Sequence, residues 1–104
     1  MANRNVRFRR SAINDLRRLS TYITESSGLP LTAEAYVHRI EQRCRELGDF
    51  PFVGHNHSDI RVGLRVLPFE SVAIAFEVAP TAVRTRRIFG QQQDYGRLLK
   101  RLGG

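Results

Sequence analysis

The chain contains no tryptophan, one cysteine, one methionine and one lysine in 104 residues. Each scarcity excludes something. The lone Cys44 has no intrachain partner for a disulfide, and its spacing to His38, His55 and His57 matches no familiar zinc pattern. The fold is therefore expected to need neither metal nor cofactor, and a reducing compartment fits the cysteine usage. No apolar run approaches the roughly 18 residues that a bilayer span requires, and the opening MANRNVRFRR lacks the apolar segment of a secretion signal. The expected location is the cytoplasm, with no membrane partner.

What the chain has in excess is arginine. Seventeen basic residues, sixteen of them Arg, stand against ten acidic ones, for a net charge of +7 and a pI near 11.0. Guanidinium is planar, permanently charged and able to bond carboxylate or phosphate with two parallel N–H groups, so this bias favours an anionic partner and specific recognition of it. Apolar content of 41% and charged content of 26% are those of an ordinary globular chain rather than a disordered one. A length of 104 residues suits one domain, residues 1–104, with one core.

NVRFR alternates Val6 and Phe8 with arginines, the period of a half-buried strand. Ala12, Leu16, Leu19 and Ile23 then recur at helical spacing, with Ser11 as the expected cap and Asp15 in the early turns. Gly28 and Pro30 stop that helix. Ala33, Tyr36, Val37, Ile40, Cys44 and Leu47 form a second stripe, with Thr32 as its expected cap. Helices over about 11–26 and 31–48, joined by a few residues, predict an antiparallel hairpin. Residues 48–63 are rich in Gly, Pro, Asn, Asp and His and read as a loop. Three alternating segments follow, LRVLPF, SVAIAFEV and VRTRRIF, and Asp94 is placed to cap a short final helix. The expected fold class is α+β: an antiparallel sheet of about four strands, the first beside the last, backed by the N-terminal hairpin, with a short C-terminal helix.

Charge is not spread evenly along this order. Residues 1–10 carry four arginines and no acid; residues 11–60 carry five basic against seven acidic; residues 61–104 carry eight basic against three acidic. If the helices cover one face of the sheet, the other is expected to be open and strongly positive. On the last strand, alternation puts Arg84, Arg86 and Ile88 on one side and Val83, Thr85, Arg87 and Phe89 on the other. Arg87 then approaches the core margin and requires a bulge or an anion, with Asp59, Glu70 and Asp94 as the candidates. His55 and His57 have no third ligand in sequence and read as loop residues; Cys44 reads as a small buried apolar residue.

The order of elements, with AINDLRRLSTYI, AEAYVHRIEQRCRELGDFPFVGH, GLRVLPF and RRIFGQQQDYGRLL, resembles the RelE/ParE superfamily of bacterial type II toxins across nearly the whole chain. The pair Leu64-Arg65, and Arg87-Ile88 with Asp94-Tyr95 downstream, carry most of the resemblance. It implies a toxin neutralised by a cognate acidic antitoxin in a hetero-oligomer. ParE-like members of the superfamily block DNA gyrase; RelE-like members cut mRNA on the ribosome. Cutting RNA through its 2′-hydroxyl needs a base, an acid and cations at the phosphate. Arg61, Arg65 and Arg87 are the candidates for the phosphate and Tyr95 or a loop histidine for proton transfer, but RelE-like nucleases use lysines on central strands, and a tyrosine alone, with a reference pKa of about 10, is a poor base. The resemblance therefore leans to the ParE-like, gyrase-inhibiting branch. The expected surface for target or antitoxin comprises Arg61, Arg65, Arg84, Arg86, Arg87, Tyr95, Arg97, Lys100 and Arg101. A basic nucleic-acid-binding module without toxicity is the third reading; few aromatics accompany its charges. Relatives carry an aromatic residue and glycines where this chain has Gly90, Gln91 and Gln92.

Overall fold

The computed structural model describes residues 3–90 and 93–103. Strand β1 (Asn5–Phe8) leads into helices α1 (Arg10–Ser27) and α2 (Pro30–Glu46), then β2 (His55–Asn56), β3 (Leu64–Phe69), β4 (Val72–Val78), β5 (Ala82–Gly90), α3 (Tyr95–Lys100) and a 3-10 turn, Arg101–Gly103. The strands form one sheet in the order β1-β5-β4-β3-β2, parallel only between β1 and β5. It has one strand more than the sequence suggests: two residues of the expected loop, His55 and Asn56, pair with Val66 and Arg65. None of the described helices is long and apolar enough to cross a membrane.

Both helices form where their stripes predict, but their first turns differ from expectation. Helix α1 begins at Arg10 after an extended Arg9 without a side-chain cap, and the Ser11 hydroxyl instead donates to Arg86 O at 2.8 Å, stitching the helix to β5. Helix α2 takes Pro30 into its first turn, where a missing N–H costs no helical bond, so Thr32 is not its cap. Gly28 ends α1 in the left-handed region at φ 70, its N–H donating to Thr24 O at 2.8 Å. Only Gly28 and Leu29 separate the helices, which must fold back on each other.

Central β4 buries both its faces, and the molecule packs a layer on each. On the helix side Ala12, Leu16, Ile40, Cys44 and Leu47 meet Val72, Ile74, Phe76, Val83 and Ile88. The other side is not open, as the sequence suggested. Leu98, Leu99 and Leu102 of the C-terminal segment, with Ile60, lie against Leu64, Val66, Ala73, Ala75 and Phe89. A Cβ on Gly103 would stand 2.5 Å from Ile60 O, so the tail approaches that loop as only glycine allows.

A β-bulge decides the phase of β5. Ala75 pairs with Arg87 but Phe76 pairs with Thr85, which leaves Arg86 as the extra residue. Beyond it every side chain changes face, so Ile88 joins the helix-side core and Phe89 the opposite one, the reverse of strict alternation. The β3–β4 turn is also unusual. Glu70 and Ser71 both have positive φ, 41° and 72°, the geometry that matches strand twist but favours Gly or Asn. It is clamped: the Tyr36 hydroxyl donates to Glu70 O, and Arg39 bonds the Glu70 carboxylate through Nε at 3.1 Å and Nη2 at 2.9 Å.

Candidate functional site

Two carboxylates organise the arginines of β5, and neither is among the expected anions Asp59, Glu70 and Asp94. Asp15, buried on α1, reaches the outer edge of β5 beyond the end of β1. Its Oδ2 accepts from Arg87 Nε at 2.7 Å and from Ile88 N at 2.9 Å, and its Oδ1 accepts from Arg87 Nη2 at 3.0 Å. This is a bidentate pair that also satisfies a backbone donor on a strand edge. The bonds to Asp15 push the Arg87 pKa up, against the opposing effect of burial. The guanidinium also lies 5.2 Å from the Phe89 ring centre. Arg87 therefore has its anion, though not Asp59, Glu70 or Asp94.

The second carboxylate is Glu77, on the face of β4 turned away from the helices, its side chain only 8% exposed. Three guanidiniums converge on it. Arg61 Nε bonds Oε2, Arg84 Nη1 lies 3.3 Å from Oε1, and Arg86 Nη1 lies 3.0 Å from Oε2. Register explains the meeting: Glu77 faces Arg84 across β4–β5, and Arg86, two residues on and before the phase changes, lies on the same face. Gly63 brings Arg61 in. With φ 83, and with any Cβ standing 2.5 Å from Val78 O, it lets the chain before β3 lie close against the end of β4. Burial lowers the pKa of Arg86, and the charges of Arg9 and Arg61 act in the same direction. Glu77 opposes the shift without cancelling it, as one anion among several cations must.

The remaining predicted residues stand apart. Arg65 lies on the helix side of β3, donating from Nε to Val53 O at 2.9 Å, with its guanidinium 5.9 Å from the exposed Phe52 ring. Tyr95 stacks on Phe89 with ring centres 6.4 Å apart, at the far end of β5 from Glu77. Arg97, Lys100 and Arg101 are exposed on the C-terminal segment, and Arg61 Nη1 reaches Leu102 O there at 3.5 Å. Asp94 caps α3 as expected, accepting from Arg97 N at 3.3 Å. Gln91 and Gln92 lie outside the described residues. His55 is exposed and His57 half-buried, and among the described residues no three of His, Cys, Asp and Glu gather as they would around a metal ion. Cys44 is buried, and that burial pushes its thiol up to about 11.

Asp15 and Glu77 each carry a signal in the sequence. Asp15 falls between Ala12 and Leu19 on the apolar stripe of α1, where a carboxylate can remain only if it is paired. Glu77 is the one charge in the run VAIAFEV. A separate feature lies on the helix side: a cleft of about 440 Å³ between α1, α2 and the ends of β4 and β5, lined by Leu19, Tyr22, Ile23, Tyr36, Val72 and Ile88 among others.

Comparison with known proteins places this arrangement. The family model described as the ParE toxin of the parDE type II toxin-antitoxin system matches residues 6–95. A solved chain of a chromosomal ParDE toxin-antitoxin system from P. aeruginosa superposes with a TM-score of 0.73 at 21% identity, over 86% of this chain and 98% of that one. That identity speaks for the fold alone. No curated protein sequence matches significantly. With nearly its whole length inside the family model, and with that strand order, hairpin and short C-terminal helix, the chain belongs to the ParE toxin family of type II toxin-antitoxin systems.

Proposed function

We propose that the protein arrests growth by binding DNA gyrase, and that a cognate acidic antitoxin neutralises it in a hetero-oligomer. The observation that carries a binding mode, rather than RNA cleavage, is the dispersal of Arg65, Arg87 and Tyr95. One is bonded to loop carbonyls on the helix side, one is closed on Asp15 at the strand edge, and one is stacked at the end of the opposite face. A nuclease would require them around one phosphate. The target-facing surface in this reading is the Glu77 face with the exposed Arg97, Lys100 and Arg101. The antitoxin's apolar side chains enter the helix-side cleft, and a carboxylate of it meets Arg18 on the cleft wall, as expected for a segment that folds on binding.

Purified gyrase and a ribosome-dependent cleavage assay, run side by side, test this. Loss of supercoiling with intact mRNA is the expected pattern. Cleaved mRNA with unaffected gyrase overturns the reading.

A further inference from the structure

Counting donors against acceptors on the Glu77 face leaves a surplus. A guanidinium carries five N–H groups, yet among the described residues Glu77 receives one nitrogen from each of Arg61, Arg84 and Arg86, and only Arg61 finds another acceptor, Leu102 O. None of the three has a second carboxylate within ion-pair distance among the described residues. Arg7, beside Arg84 in the β1–β5 register, adds charge to the same face. Glu77 thus holds like charges together without neutralising all of them, with Arg86 largely buried beneath Arg61 and Arg84. Arg61 and Arg84 remain 44% and 43% exposed, so their free edges are available.

We propose that this cluster is a site for the phosphodiester backbone of duplex DNA, read without regard to sequence. Phosphates offer closely spaced, multiply accepting oxyanions that match forked donors. An acidic peptide that folds on binding must also bury apolar surface, and the apolar cleft lies on the opposite side of the sheet. A single-strand site requires aromatic platforms. The aromatics of this face, Phe89 and Tyr95, are stacked on each other at the other end of β5. Charge without stacking surfaces reads backbone, not bases. The face is the one proposed above to meet the target, but the test below contains no gyrase, so the two readings fail separately.

Fluorescence anisotropy with a short fluorescein-labelled duplex of arbitrary sequence tests it. Between about 50 and 200 mM salt, the log–log slope of affinity is expected near −3, roughly 0.9 for each of about three phosphates. Arg84→Gln should weaken binding about tenfold at low salt and flatten the slope by about one. Arg84→Lys keeps the charge and should keep the slope. Arg17→Gln, which removes the same charge from an exposed position on α1, should change affinity less than about twofold. Thermal melts establish that each variant is folded. Equal losses for Arg84→Gln and Arg17→Gln overturn the proposal, as does absence of duplex binding at low salt. Competition by polyglutamate as effective as by unlabelled duplex also overturns it.

Discussion

At the edge of β5 one carboxylate, Asp15, is held in two close bonds by one guanidinium, Arg87, with the exposed Arg18 only at 3.9 Å; on the face turned from the helices one carboxylate, Glu77, takes one nitrogen from each of three guanidiniums, most of whose other donors find no partner among the described residues. Both carboxylates are buried and both serve β5, so burial does not distinguish them. Stoichiometry does. A one-to-one buried pair is part of the fold, since losing either member strands a charge. A three-to-one cluster tolerates losing a cation and holds positive charge ready for something outside the molecule. On this reading the arginine strand, expected to be one working edge, divides in two, with Arg87 assigned to the scaffold by its pairing with Asp15.

The most severe way to break this comparison is Arg87→Ala. Among the described residues Asp15 would keep the Ile88 N–H and, as its one cation, Arg18, 3.9 Å away and largely exposed, so a loss of about 3–5 kcal/mol is expected in denaturant melts. A loss below about 1 kcal/mol would put Arg87 in the same class as the Glu77 arginines.

A second contrast is alkaline. The helix side buries Cys44, whose thiol is raised from 9.0 to about 11 by desolvation. The folded state keeps that proton while the unfolded state releases it, so the contribution is complete below pH 9 and is lost as pH rises towards 11. Its size is about 2–3 kcal/mol. Urea melts of wild type and Cys44→Ala across that window should converge as pH rises, and parallel curves would contradict the assignment.

Glu77→Gln should cost less, about 1–2 kcal/mol, because water can reach Arg61 and Arg84 and the amide oxygen can still accept from the more buried Arg86. Smallest of all is Arg84→Ala, expected within about 1 kcal/mol of wild type since Glu77 retains Arg61 and Arg86. If the Arg84→Ala loss matched that of Arg87→Ala, the distinction between the two carboxylates would collapse.

Much of the scaffold was legible because it rests on local periodicity. Apolar spacing located the hairpin, Gly28 fixed its corner, and strict alternation sorted β3 and β4 into their two faces. What escaped was non-local. The bulge at Arg86 depends on how β5 is held between β4 and α1, and it reversed the faces of Ile88 and Phe89. Asp15 and Arg87 are 72 residues apart in sequence, and only the register of β5 past the end of β1 joins them. The C-terminal cover was missed for a similar reason: LLKRL is too short to announce an apolar face, though Leu99 is buried against the sheet. Arg61, Arg84 and Arg86 were named from charge alone; that they share one anion follows from the β4–β5 register and the close approach at Gly63.

Gyrase supercoiling titrated with Arg61→Ala/Arg84→Ala, set against wild type, tests most directly whether the three-to-one cluster is the working surface. The account predicts a variant that still unfolds in a cooperative melt, at a somewhat lower temperature than the wild type, and inhibits at least about tenfold less. Inhibition equal to the wild type by the folded variant would contradict it.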